Sequence, residues 1–254
     1  MAISEETVGH RATLRVLAIL DALAANQKGL TMAEICRELG APKSSLFPIL
    51  HTMADTEYIA YDEDTMRYSI GLRTYLLSKA FDRGAMGLPL IEGEMRRVVG
   101  TCNETCQAGT LDHGRVLYIA RVDSPQRIRL SSEIGKTLPA HCTAIGKAIL
   151  SQLSDAEAID SLVVLPLERP TEHAVKTPEE LLGQLAETRA TGFAHDRQEV
   201  LEGVECLAVP IHRSNGHCFG VSVSVPAYRL DAAKKDLIKQ ALTDAKDRLE
   251  AALI

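Results

Sequence analysis

Long hydrophobic runs are missing from this sequence of 254 residues. None approaches the roughly 18 residues that a membrane span needs. The first apolar stretch, Val16 to Ala25, is interrupted by Asp21 and preceded by Glu5 and Glu6, the wrong charge for a signal peptide. A cytoplasmic location with no membrane contact is expected. CxxC pairs are also missing, although there are six cysteines; Cys102 and Cys106 stand four apart. That spacing does not suit a zinc site, and a cytosolic chain of this length has little need of disulfides. Reduced thiols, no metal and no cofactor are therefore expected. Tryptophan is absent and aromatics make up 4 %. GxSxG, HExxH, P-loop and GxGxxG patterns are missing as well, which removes common signatures of catalysis and nucleotide binding. There is no internal repeat and no low-complexity segment.

Positive charge is short too. The net charge is −6, and the first 75 residues hold seven basic residues against ten acidic ones. Any affinity for nucleic acid must then come from motif geometry rather than bulk electrostatics, with the acidic groups turned away from phosphates.

What is present is ordinary globular material: 46 % hydrophobic and 24 % charged residues, enough for one large domain or two smaller ones. Leu14, Leu17, Ala18, Leu20, Asp21, Leu23 and Ala24 form a largely apolar stripe at helical spacing, which predicts a helix over about 11–25. Thr31 and Glu34 form a capping box that opens a second helix over 32–39. Gly40 closes it and permits a tight left-handed turn. Leu46, Ile49, Leu50 and Met53 then mark a third helix, the second arm of a helix-turn-helix. Residues 58–61 and 66–70, joined by the acidic turn Asp62 to Asp64, read as a hairpin. Three helices and a hairpin make a winged helix over residues 1–71. Lys43, Ser44 and Ser45 sit at the positive end of the third helix and suit phosphate oxygens. Phe47 and His51 lie off the apolar face and are candidates for base edges, or else for a surface or dimer contact. Arg67 on the wing is a candidate for the minor groove or a phosphate. Pro48 removes an amide and crowds the preceding turn, which predicts a late helix start or a kink near Ser44 and Ser45.

A linker helix is expected over 72–86, with a domain boundary near Ala85 and a second domain over 87–254. The pattern predicts a helix from Pro89 to about Thr101, strands over 105–111, 115–122 and 127–130, and a turn at Asp112 to Gly114. Helices follow over 144–153 and 179–191, then strands over 193–195, 206–212 and 218–225. A long helix from Asp231 to Leu253 ends the chain. Strands flanked by separate helices make an α+β domain with an antiparallel sheet. His141, Cys142, Thr143, Asp196, Cys206, Ser222 and Ser224 fall where chain segments converge. Ser222 and Ser224 share one face of their strand, opposite Val221, Val223 and Val225. That face is either a pocket floor or the solvent side of a half-exposed sheet.

Taken in order, these segments resemble the IclR family of bacterial regulators. The resemblance rests on Leu138 to Ala148 (LPAHCTAIGKA), on Gly192 to Asp196 (GFAHD) continuing through Glu199 and Gly203, and on Cys206 to Ile211 (CLAVPI). Glu104, Thr105, Gly135, Ser222 to Ser224, and Pro42 to Ser45 (PKSS) support it. It implies a winged helix-turn-helix, a linker helix and a GAF-like effector domain. It also implies a homodimer or homotetramer on a palindromic double-stranded DNA operator. By the family pattern the effector pocket is lined by Leu130, Leu138, Ala144, Ile145, Asp196, Cys206, Ser222 and Ser224, and effectors are small carboxylates or aromatic acids. The chain departs from the pattern at Pro48, where the family often has Arg, and at Gln198, where it usually has an acid. The function expected is a DNA-binding transcriptional regulator under small-molecule control. Two alternatives stay open: an adaptor that has lost DNA binding, and a thiol enzyme using Cys142 with His141 or Cys206 with His212.

Overall fold

The computed structural model describes residues 9–84, 87–129, 134–162, 166–214 and 216–253. The chain divides into two compact units, Met1–Met86 and Gly87–Ile254. The fold class is α+β, with helices and a small sheet in the first unit and a six-stranded sheet in the second. Among the described residues, no helix is long and apolar enough to cross a membrane.

The first unit contains α1 (Arg11–Ala25), β1 (Leu30–Thr31), α2 (Met32–Glu38), α3 (Lys43–Asp55), β2 (Ile59–Asp62), β3 (Arg67–Ile70) and α4 (Leu72–Gly84). The three strands pair antiparallel in the order β1-β3-β2. The capping box forms as the sequence predicts. The Glu34 amide donates to Thr31 Oγ1, and the Thr31 amide donates to Glu34 Oε2 at 2.7 Å. Gly40 takes a φ of 58° between α2 and α3, the left-handed turn that lets the two helices cross. Ile19, Leu23, Ile35, Leu46, Leu50, Met53 and Ile59 make the core.

Pro48 departs from expectation. Helix α3 starts at Lys43, with Pro42 at its N-cap, and runs unbroken through Pro48 to Asp55. Ser45 does not cap it; its hydroxyl donates to the Pro42 carbonyl at 2.8 Å. Burial explains why the helix tolerates the ring. Leu46 and Leu50 are fully buried and Met53 nearly so, and three such side chains contribute about 5–8 kcal/mol. That outweighs the ~3 kcal/mol of an interior proline.

The second unit contains α5 (Leu88–Cys102), β4 (Thr105–Asp112), β5 (Arg115–Val122), β6 (Thr137–Pro139), a 3-10 turn (Ala140–Cys142), α6 (Ala144–Leu150), α7 (Asp155–Asp160), α8 (Pro178–Thr191), β7 (Ala194–Arg197), β8 (Val204–His212), β9 (Cys218–Pro226), a second 3-10 turn (Ala227–Arg229) and α9 (Ala232–Ala252). The strands form one antiparallel sheet in the order β6-β5-β4-β9-β8-β7. Two layers of helix cover it. Val209, Val221, Val223 and Val225 face α5 and α9. Val116, Tyr118 and Ala208 face α6 and α8.

The strand expected over 127–130 is not there: residues 127–129 lie outside the sheet, and Leu130 is outside the described residues. After β5 the Ser124 hydroxyl donates to the Asn103 carbonyl and accepts from the Gln126 amide, which turns the chain away. The place beside β5 goes to β6, with Leu138 opposite Val116. Helix α6 stops at Leu150 rather than Leu153, and α7 was not anticipated. Gly146 fixes how α6 sits, because a Cβ there would lie 2.1 Å from the Ala140 carbonyl oxygen.

Replacing Pro48 by Ala restores one amide to α3 and should stabilise the first unit by about 1–3 kcal/mol. Thermal unfolding of the full chain checks this; an unchanged or lower transition would mean the helix carries the ring at no cost.

Candidate functional site

Each unit presents one candidate surface. In the first, α3 buries Leu46, Leu50 and Met53 and exposes Lys43, Ser44, Phe47, Pro48, His51 and Thr52. Lys43, Phe47 and His51 are spaced four apart, so they line one stripe. Phe47 is 49 % exposed, a large apolar group left in water. Its ring lies 6.2 Å from that of His51. His51 Nδ1 meets Asp55 Oδ2 at 2.8 Å, with both side chains exposed. Ser45 is half-buried and turned back onto its own helix, so it differs from Lys43 and Ser44 in what it can offer a phosphate.

Arg67 also sits differently from expectation. Its Nη1 donates to the Gly29 carbonyl at 2.7 Å and to Glu34 Oε2 at 3.1 Å. The guanidinium ties β3 to the start of α2, where it helps fix the wing rather than projecting from it. The wing tip is acidic: Asp62, Glu63 and Asp64 are exposed, and Asp62 Oδ1 accepts from the Asp64 and Thr65 amides to shape the turn. Those bonds hold the Asp62 carboxyl below the usual carboxylate range.

In the second unit, the sheet face under α6 carries a row of polar residues. Cross-strand register places Asp196 beside Cys206, Cys206 beside Ser224, and Ser224 beside Thr105. One step along, Ala208, Ser222 and Gln107 stand side by side. Cys206 Sγ donates to Ser224 Oγ at 3.2 Å, and Ser224 Oγ donates to Gln107 Oε1 at 3.3 Å. Asp196, Ser222 and Ser224 are buried, so this face is not a solvent side. Ala144 and Ile145 of α6, with half-buried Leu138 of β6, belong to the apolar cluster on the same face. Thr143 caps α6 by accepting from the Gly146 amide at 3.0 Å. Seven of the eight residues expected at the pocket thus share one face; Leu130 lies outside the described residues.

Three residues of this face were not anticipated. Thr105 and Gln107 alternate with Cys106 and Ala108 along β4, and the period-two pattern was the available signal. Tyr118 of β5 is buried among them, and burial raises its phenol well above the usual range.

Beside the row lies a buried ion pair. Lys147 of α6 and Glu199, in the loop after β7, are each 1 % exposed and 2.5 Å apart. Lys147 Nζ also donates to the His195 carbonyl at 2.5 Å and to Gln184 Oε1 of α8 at 2.7 Å. All three ammonium hydrogens therefore have acceptors. Glu199 Oε2 is buried without a hydrogen-bond partner among the described residues. Asp196 Oδ1 accepts from the Glu199 amide at 2.7 Å. Burial pushes the Asp196 carboxyl up to about 7, against the opposing pull of Lys147.

The thiols are poor nucleophiles. Burial pushes Cys142 up to about 12 and Cys206 higher still. His141 Nε2 is engaged with the Glu168 carbonyl at 2.8 Å. His212 contacts Glu250 and Gln152, while the Cys206 thiol bonds Ser224. Neither thiol has an imidazole base against it. Among the described residues, no cluster of His, Cys, Asp or Glu could hold a metal.

Comparison with known proteins places these units in context. Residues 90–251 match the family described as bacterial transcriptional regulator IclR C-terminal, and residues 12–63 match the IclR helix-turn-helix domain. The chain is 32 % identical over 229 residues to the HTH-type transcriptional regulator KdgR of Dickeya chrysanthemi, covering 87 % of this chain and 73 % of that one. Its fold resembles a crystal structure of a transcriptional regulator of the same family from Alicyclobacillus acidocaldarius, with a TM-score of 0.86 at 20 % identity over 96 % of this chain and 98 % of that one. It also resembles a homologue from Microbacterium hydrocarbonoxydans complexed with 4-hydroxybenzoate, with a TM-score of 0.80 at 22 % identity over 94 % and 99 % of the two chains.

Lys147→Met leaves Glu199 buried and unpaired and should cost about 3–5 kcal/mol of stability. Adding Glu199→Leu should return most of it. Thermal unfolding of the single and double variants checks both; a single variant as stable as the parent would show that the pair is not a structural tie.

Proposed function

The chain belongs to the IclR family of bacterial transcriptional regulators, and from that premise we propose how it reads DNA and what controls it. It is a DNA-binding regulator with an effector-binding C-terminal domain. It works in the cytoplasm as a homodimer or homotetramer on a double-stranded operator. Helix α3 enters the major groove, Lys43 and Ser44 meet phosphates at its N-terminus, and Phe47 and His51 reach base edges. The observation that carries this reading is the sharp division of α3 into a buried apolar face and an exposed stripe with no acid before Asp55. If His51 Nδ1 donates to Asp55, the free Nε2 is an acceptor, which suits an amino group of adenine or cytosine. Arg67 supports the wing by bonding Gly29 and Glu34, and the acidic wing tip stays clear of the phosphates. Ser45 contributes only through its backbone.

Control comes from a small carboxylate or aromatic acid held on the buried row of Asp196, Cys206, Ser222 and Ser224, with Leu138, Ala144 and Ile145 as apolar walls. Binding favours one of two arrangements of the paired recognition helices, and operator affinity follows by the ligand's preference between them. Catalysis is not part of this reading, because the buried thiols have high pKa values and lack a base. Self-association is supported by α4, where Leu72, Tyr75, Leu76 and Leu77 are each more than half exposed.

An electrophoretic shift of the chain's own upstream DNA, with and without candidate acids, tests the reading. Lys43→Ala should weaken binding to all sequences and lower the salt slope by about 1 per subunit; His51→Ala should cost about 1–3 kcal/mol and relax base preference. No shift of any DNA would favour an adaptor, and consumption of the acid an enzyme. Leu76→Glu should shift sedimentation towards monomer; an unchanged oligomer would place the subunit interface elsewhere.

A further inference from the structure

This inference rests on the acid-binding function proposed above. An anionic effector would have to sit beside Asp196, which is 3 % exposed. The titratable groups around that carboxyl come from every element packed against it: Cys206 on β8, Tyr118 on β5, Cys142 in the 3-10 turn, Lys147 on α6, and Glu199 in the loop after β7. Lys147 is the one cation in that set, and its three hydrogens go to Glu199, His195 and Gln184. Two buried carboxyls lie near one ammonium, and only Glu199 is bonded to it. Glu199 touches the ammonium directly. Among the described residues the donors to Asp196 are backbone amides, those of Glu199 and Val200, because the thiol hydrogen of Cys206 goes to Ser224. Ser222 and Ser224, on the strand beyond Cys206, and Gln107, one strand further, are uncharged. In an interior of low dielectric, the second carboxyl takes a proton more cheaply than it stays ionised.

We propose that Asp196 is a neutral carboxylic acid before an effector binds and donates its proton in a hydrogen bond to the carboxylate of the bound effector. The proton lies between the two oxygens, and no other bond is made or broken. The site then accepts an anion without any free cation, and a charged acceptor makes this bond stronger than a neutral carbonyl would. Affinity for an acid follows the fraction of Asp196 that is protonated. It weakens by about tenfold per pH unit once Asp196 ionises. Burial sets that point, since it raises the carboxyl to about 7. An Asn at this position keeps a neutral donor that does not titrate.

Two measurements on the full chain test this. The first is an infrared difference spectrum, wild type minus Asp196→Asn, at about pH 6 and about pH 8.5, on either side of the burial-raised value. A protonated carboxyl stretch is expected at the lower pH and not at the higher. Its absence at the lower pH overturns the proposal. The second is calorimetric titration with 4-hydroxybenzoate, benzoate, succinate and the neutral 4-hydroxybenzamide over the same range. The acids are expected to lose affinity with rising pH in wild type but not in Asp196→Asn, and the amide to bind more weakly than its acid. Equal pH dependence in the two proteins overturns proton donation. If no acid binds while the infrared band is present, the acid-effector reading fails together with the pairing built on it, and the protonated Asp196 stands. Should Asp196→Asn fail to fold, the pH titrations of the band and of acid affinity in wild type must share one midpoint; separate midpoints overturn the proposal.

Discussion

The buried ammonium of Lys147 joins four parts of the C-terminal unit at one point. It lies on α6, binds the carboxylate of Glu199 after β7, takes the main-chain carbonyl of His195 within β7, and reaches the side-chain amide of Gln184 on α8. Such a contact is not a free gain in stability, because removing two charges from water costs several kcal/mol per ion before their attraction returns it. Its value lies in geometry. A buried cation with three fixed acceptors allows little freedom to the helix that carries it. That helix places Ala144 and Ile145 over the polar row of the sheet, and Gly146 seats it against the Ala140 carbonyl. The position of α6 over the polar row follows from this tie.

The two units solve different physical problems. The helix-turn-helix must meet a polyanion while its own segment is net acidic. It does so by distribution: acids are placed in the capping box, on the wing tip and at the far end of α3, and the leading stripe of α3 is left with Lys43, Ser44, Phe47 and His51. The C-terminal unit must hold polar groups in a dry interior. It does so by pairing them across strands, Cys206 to Ser224 to Gln107, so that each has a neighbour before any ligand arrives. Such a floor is preorganised, and a ligand need not order it.

Much of this was legible from residue pattern. The capping box at Thr31, the turn at Gly40, the hairpins and the long last helix depend on local chemistry, which sequence carries directly. The facing of Ser222 and Ser224 against Val221 and Val223 follows from period-two alternation alone. Less legible were features fixed by distant partners. The short run over 127–130 alternates like a strand, but Ser124 bonds to Asn103 and turns the chain away, leaving the edge to β6. Pro48 reads as a helix breaker, yet the burial of Leu46, Leu50 and Met53 carries α3 through it. Arg67 reads as a wing cation, and only the folded unit shows Gly29 and Glu34 as its acceptors.

The sequence by itself determined the helix-turn-helix, most strands and helices of the second unit, and the family, because caps, turns, periodicity and spaced motifs are local and survive without coordinates. Tertiary structure decided which polar groups are buried together and what each one faces. Lys147 in an apolar helix is far in sequence from Asp196 and Glu199, and nothing in the spacing says that one ammonium bonds Glu199 with Asp196 close by. That fact sets the charge of the site, and charge in a dry interior depends on distance and burial, which only the fold supplies.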